Sequence, residues 1–319
     1  MDLANLGGRL LSLSRTILDE LAVECDLDGL GVAPAHPVPV DASLFANRVR
    51  AAPPELGYLA RSLDRRLDPG LVLPGVQSVV TGYVSYAPPD PGSGPRPSLD
   101  ARVAAFARFE DYHKTVGARF ARLSDLLVRR FGARTRWYVD TGPVPEKAYA
   151  VAAGLGFIGK NTLFVSPRHG SFVFLGVVLT DLEGGDSPVL GQTYCKTCRA
   201  CQDACPARAL ETPYVLDVSR CLAHRTVTAR TAADLTLTEL AGNCYGCDRC
   251  QEVCPFNRAA ERPARPDFLP LSALDELTAD RLLDLDDAGL DALVAGTPMR
   301  RRDRELLRAV ARRLAGRSD

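Results

Sequence analysis

The 319-residue chain has no net charge: 39 Lys and Arg balance 39 Asp and Glu. As a whole it is therefore not a polyelectrolyte binder, and any nucleic-acid site must be a local patch. It also lacks a long apolar run. The longest, around "SFVFLGVVL" (171–179), falls far short of the ~20 residues that span a bilayer, so no membrane association is expected. The opening "MDLANLGGRLLSLSRT" has an early Asp and neither a long apolar core nor a small-residue cleavage site. It does not read as a signal peptide, and a cytoplasmic location is expected. There, paired cysteines are metal ligands or redox groups more often than disulfides. What is present is the composition of a soluble globular protein, 46% hydrophobic and 24% charged. That length suits one large domain or two ordinary ones.

Residues 3–22 read as an amphipathic helix, and "LDGLGVAPAHPVPV" as a strand running into a Pro-rich loop. "VQSVVTGYVSY" (76–86) is a buried strand by its β-branched and aromatic content, and "APPDPGSGPRPS" (87–98) an exposed loop. Residues 100–131 have the apolar period of one long helix. "TRWYVD" (135–140) is a strand ending at an Asp, and "PEKAYAVAAGLG" a helix that opens on Pro and closes on Gly. "GSFVFLGVVLTDL" is a further buried strand. Strands alternate with helices, so residues 1–185 read as one α/β domain. Residues 186–260 are cysteine-rich with short helices, a small cluster domain, and 261–319 form a Pro-punctuated, then helical, C-terminal segment.

The only internal repeat is a pair of cysteine runs. "CKTCRACQDACP" (195–206) and "CYGCDRCQEVCP" (244–255) both read C-x₂-C-x₂-C-x₃-C-P, accounting for eight of ten cysteines. A thiolate every third residue lets a short loop wrap three corners of a four-iron cubane, the fourth ligand coming from elsewhere. Two such runs predict two 4Fe-4S clusters. Zinc would use separated C-x₂-C pairs or His partners, and would not need the third Cys of each run. Spacing alone assigns 195, 198, 201 and 254 to one cluster and 205, 244, 247 and 250 to the other. Cys221 and Cys25 are then spare.

Three features invite functional readings that the pattern does not support well. "GLGFIG" (154–159), followed by Lys160, is a literal G-x-G-x-x-G, but a dinucleotide site needs a strand before it and a helix after. Here a helix precedes it, so the glycines are expected to end that helix and allow close backbone approach. "DYHKTVG" (111–117) resembles the D-x-H-x-x-G signature of base-on cobalamin proteins with its Gly one place late. It falls inside the expected long helix, so His113 reads as a surface or structural residue. Asp140 has as its plain alternative an ordinary helix N-cap ahead of "TGPVPEK".

Together, "LGYL" with "RRLDPGLVLPGVQSVV", "EDYHK", "VDTGPVPEKAYAVAAGLGFIGKNTL", "GSFVFLG" and the two cysteine runs resemble the epoxyqueuosine reductase family over roughly residues 5–260. The resemblance implies an α/β (α+β) nitroreductase-like domain holding cobalamin base-off, a ferredoxin-like domain with two 4Fe-4S clusters, and a short helical C-terminus. It implies reduction of epoxyqueuosine to queuosine at the tRNA wobble position. It also implies a different ligand set. The first cluster takes Cys195, Cys198, Cys201 and Cys254. The second takes Cys205, Cys221, Cys247 and Cys250, so Cys221 displaces Cys244.

By the same resemblance Asp140 is the proton donor, expected to be held neutral by burial against the corrin. Arg66 suits corrin amide or phosphate groups. Lys160, Asn161, Phe164 and Leu175 line the corrin, and Asp248 touches its rim. The partners expected are a tRNA with a queuosine-type anticodon and an electron donor of the flavodoxin or ferredoxin class, for a monomeric protein. A reductive dehalogenase-like enzyme is the rival, but the twin-arginine signal usual there is absent. A ferredoxin-type carrier would not need the first 185 residues. Residues 299–319 carry eight Arg against three acidic residues, and 271–291 seven acidic residues against one Arg. The plainer reading is two faces that neutralise each other. The functional one is a phosphate-facing stripe through Arg300, Arg301 and Arg304.

Overall fold

The computed structural model describes residues 12–87, 101–184, 194–228, 240–275 and 277–316. Its centre is a four-stranded sheet in the order β1 (Gly29–Pro34), β2 (Ser78–Ser85), β7 (Val173–Thr180), β4 (Thr135–Tyr138). Every pairing in it is antiparallel, so the fold is of the α+β kind. β2 is buried along its whole length, because its alternate side chains enter two different cores. Val80 and Val84 pack with Leu18, Leu21, Phe120, Leu123 and Leu127, from helices Arg15–Glu24 and Tyr112–Phe131. Val79 packs with Tyr149 and Ala153 on the opposite face, beside helix Glu146–Ala152. Each fully buried Leu or Phe contributes about 1.5–3 kcal/mol. The long helix crosses β7 at Gly176, where a Cβ would meet the Phe120 ring at 2.5 Å.

Two helix expectations need correction. The helix expected over 3–22 is seen over Arg15–Glu24, with Ser14 as its N-cap; residues 1–11 lie outside the described ones. The helix expected over 100–131 begins only at Tyr112, capped by Asp111. Ahead of it, β3 (Arg102–Val103) pairs in parallel with β8 (Asn243–Tyr245), and a 3-10 turn covers Ala105–Ala107. Pairing with a distant strand overrides a helical apolar period that continues through 101–111. All but the first residue of the expected 87–98 loop lies outside the described residues.

The strand pair β3–β8 opens onto a second core. Ala101, Val103, Cys244 and Tyr245 pack there with Leu282, Leu290, Leu293, Leu307 and Val310. The latter come from helices Ala279–Asp284, Asp287–Val294 and Arg304–Leu314. The hairpin β5 (Phe157–Ile158) and β6 (Phe164–Val165) packs against helix Glu146–Ala152, and the cysteine-rich segment after it is built of short helices. Among the described residues, no helix is long and apolar enough to cross a membrane.

Candidate functional site

Cys195, Cys198, Cys201 and Cys254 line one cavity of about 150 Å³, closed by Phe157, Tyr194 and Phe256. Among the described residues, no three thiol, imidazole or carboxylate groups gather tightly enough to hold a single metal ion. Four thiols around a cavity suit a cluster, whose corners stand apart. Next to it, burial raises the Cys247 thiol to about 11, and Cys221 and Cys205 add to that. Cys250 is raised by burial and then by Cys247 and Cys221, and it also feels Cys201 of the first group. Cys221 precedes helix Leu222–Thr228 and is raised by burial and by Cys205. Cys244 is different. It is 1% exposed in the second core. Burial lifts it to about 12, opposed by the Arg302 charge.

Asp140 does not cap a helix: helix Glu146–Ala152 starts from Pro145 without a side-chain cap. Asp140 instead sits just beyond β4 with φ +60°, a left-handed conformation unusual for a side-chain-bearing residue. The Glu146 carboxylate holds this turn by accepting the Asp140 N–H at 2.8 Å. The turn aims Asp140 back at the start of the long helix. Tyr112 donates its hydroxyl to Asp140 Oδ2 at 2.9 Å, and His113 Nε2 stands 3.7 Å from the same oxygen. The Asp140 side chain is 65% exposed. The upward shift expected for it is not found. His113 beside it holds the carboxyl below its ordinary value, with help from Tyr112, while burial opposes them. In exchange Asp140 is the largest influence raising His113, followed by Asp111 and opposed by burial. Glu146 is pushed up to about 8 by burial, then by the Asp140 charge.

Of the remaining expected site residues, Arg66 lies nearest this turn. Arg66 donates to Ser62 Oγ at 3.0 Å. Burial lowers its pKa, while Tyr58, Glu146 and Asp140 act in the opposite direction, so it belongs to the same neighbourhood as the acid. Phe164 packs with Tyr83 and Ala150 in a buried group overlaid by half-buried Val151, Leu155, Ile158, Val173 and Leu175. Lys160 is turned elsewhere. Its buried ammonium donates to the Lys196 carbonyl at 2.5 Å and the Cys198 carbonyl at 2.8 Å, clamping the first cysteine loop. Asn161 Nδ2 lies 3.5 Å from the Cys250 carbonyl, on the second loop. Asp248 accepts from the Ala105 N–H at 2.6 Å and from Gln251 at 3.2 Å, and burial lifts it to about 6. The glycine-rich stretch is no phosphate cradle. Gly154 ends the helix at φ +73°, and a Cβ at Gly156 would meet the Val165 carbonyl at 2.2 Å.

A column of stacked rings runs inward from the acid. Tyr112 stacks on Phe174 at 4.0 Å, and Phe174 on Tyr86 at 4.1 Å. Tyr86 in turn feels Asp248, Gln251 and Cys250. Sequence reasoning missed Tyr112, His113, Glu146 and Arg301 as neighbours of Asp140. The signal for the first two was present in "EDYHK", but the helix boundary was set too early to use it. Arg304 and Arg308 follow the plainer reading, and Arg301 does not. Arg304 makes two 2.7 Å contacts to Asp291 and one of 3.1 Å to Asp287, Arg308 pairs with Asp287 and Glu305, and Arg301 reaches Asp111.

Residues 194–257 match the family model of a 4Fe-4S double cluster binding domain, which places two 4Fe-4S clusters in this segment. Residues 66–141 match the model of epoxyqueuosine reductase QueG, DUF1730. The chain is 42% identical over 270 residues to an epoxyqueuosine reductase of Gloeobacter violaceus, spanning 80% of this chain and 81% of that one. It is 36% identical over 253 residues to one of Pseudomonas aeruginosa, spanning 77% and 70%. The crystal structure of an epoxyqueuosine reductase with an epoxyqueuosine-modified tRNA-Tyr stem loop aligns with a TM-score of 0.79 at 27% identity. That alignment covers 93% of this chain and 80% of that chain. The likeness takes in both the turn that carries Asp140 and the paired cysteine loops, and the chain belongs to the epoxyqueuosine reductase family.

Proposed function

We propose that the protein reduces the epoxide of epoxyqueuosine, at the wobble position of a tRNA with a queuosine-type anticodon, to the alkene of queuosine. The reaction takes up two electrons and two protons and releases water. The observation that carries the reading is the left-handed turn presenting Asp140, backed by Tyr112 and His113, at one end of a stacked column of Tyr112, Phe174 and Tyr86.

Cobalamin is the further cofactor proposed. The half-buried apolar face of Val151, Leu155, Ile158, Val173 and Leu175 suits a flat macrocycle, and it adjoins the turn that holds Asp140. Arg66 beside Asp140 suits its amide or phosphate groups. When bound, cobalamin supplies a reducible metal for the substrate carbon, and the clusters supply single electrons. Cys195, Cys198, Cys201 and Cys254 hold the first cluster, and Cys205, Cys221, Cys247 and Cys250 the second. Cys198 is exposed, which favours entry of electrons there from a flavodoxin- or ferredoxin-class donor.

Asp140 donates the proton that lets the epoxide oxygen leave. Covering its exposed carboxyl with ligand strips water from it and favours the neutral acid. Tyr112 fixes Oδ2, and Glu146 fixes the backbone that aims it. Asp140→Asn keeps the shape and removes the acidic proton. Single-turnover reduction should slow on the order of a hundredfold or more, with iron and cobalamin content unchanged. A near-normal rate would remove Asp140 from the chemistry. In cells without the protein, mass spectrometry of tRNA nucleosides should find epoxyqueuosine in place of queuosine.

A further inference from the structure

Asp111 and Arg301 are far apart in the chain and meet beside the acid. Asp111 caps the long helix, its Oδ1 accepting the His113 N–H at 3.2 Å and lying 2.7 Å from His113 Nδ1. One oxygen is all that capping requires. The second oxygen of this carboxylate, whose side chain is 5% exposed, accepts from Arg301 Nη2 at 3.2 Å. Arg301 comes from the C-terminal segment, and its side chain is 55% exposed. With Nδ1 occupied, His113 turns its buried Nε2 toward Asp140, 3.7 Å away, with no hydrogen-bond partner closer. That gap is one that acid–base pairs commonly close on binding substrate.

We propose that His113 is the proton reservoir of the site, recharging Asp140 after it has protonated the leaving oxygen, with Asp111 and Arg301 as positioning residues. The proposal rests on the reading of Asp140 as the acid. In the step, the Nε2 proton of the imidazolium passes to the Asp140 carboxylate. The ring becomes neutral, the carboxylate becomes the acid, and no electrons move. Solvent then reprotonates the ring, whose side chain is 17% exposed.

The groups around His113 set the sign of each effect. Asp140 and Asp111 favour the cation, while burial and Arg301 disfavour it. Tyr112 is neutral on the same helix, and Glu146 and Arg66 lie on the far side of Asp140. Asp111→Asn keeps an N-cap and removes a negative charge. His113 should then lose its proton sooner, moving the alkaline limb of the multiple-turnover pH–rate profile down by about one pH unit. Arg301→Gln removes a repelling cation and should move the same limb upward. In holoenzyme, the His113 ring resonance should titrate with the same opposite displacements, identified by its absence in His113→Gln.

A purely structural role would lower rates in both variants without opposite displacements. Limbs that stay in place, or move in the same direction, overturn the proposal. If Asp140→Asn is slow while these limbs do not move, the acid stands and the reservoir falls. If Asp140→Asn is fast, the acid falls, and with it the reservoir, whatever the ring resonance shows.

Discussion

The two cysteine runs share one spacing and are treated differently by the fold. Cys195 opens the first run in a tight turn, where its carbonyl accepts the Cys198 N–H at 2.7 Å and its thiol faces the cavity. Cys244 opens the second run in the middle of a strand, Asn243–Tyr245, paired with Arg102–Val103. That strand is buried along its whole length, and Cys244 lies in the second core beside Tyr245. Spacing decides which thiols can reach a cluster, and the partner of the surrounding backbone decides which of them do. The vacated corner goes, in our proposal, to Cys221, a residue that no repeat marks.

This contrast can be broken in three ways. The largest effect is expected from Cys221→Ala, which should lower iron per protein to about half by losing one cluster, as removal of a thiolate ligand typically does. Full iron in that variant would return the second run to the simple ferredoxin assignment. Lys160→Met should come next. Without its clamp on the Lys196 and Cys198 carbonyls, the first loop should release iron faster to a chelator. Biphasic release is expected, and uniform acceleration of all the iron would mean that Lys160 serves the whole fold. Cys244→Ala should be mildest. Iron should be unchanged, and a small cavity should cost about 1 kcal/mol, read from thermal melting. Loss of iron there would reverse the comparison.

What the sequence made legible had local causes. "VQSVVTGYVSY" and "GSFVFLGVVLTDL" are β-branched runs buried on both faces, and both are strands. The first cluster's four cysteines meet as spacing requires. What was not legible depends on residues distant in sequence. Residues 101–111 look helical until β8 claims Arg102 and Val103. Asp140 looks like a cap because nothing nearby in sequence reveals Tyr112 and His113 across from it. The lowering by His113 was unforeseen for the same reason, since burial was anticipated and the imidazole was not. Spacing alone favours Cys244 and family resemblance favours Cys221, and nothing local in the sequence marks the burial of Cys244 in the second core.

The parallel pairing of Arg102–Val103 with Asn243–Tyr245 also sets a timetable. On the ribosome, at about 5–20 residues per second, the earlier strand waits on the order of ten seconds for its partner to be made. The strands β1, β2, β4 and β7 are all complete before the second cysteine run emerges. The catalytic half can therefore collapse first, while Val103 and Ala107 remain without the core they will later share with Cys244. Closing so long a loop is slow and entropically costly. Until the C-terminal helices follow, the apolar side chains awaiting that second core are open to chaperones and proteases.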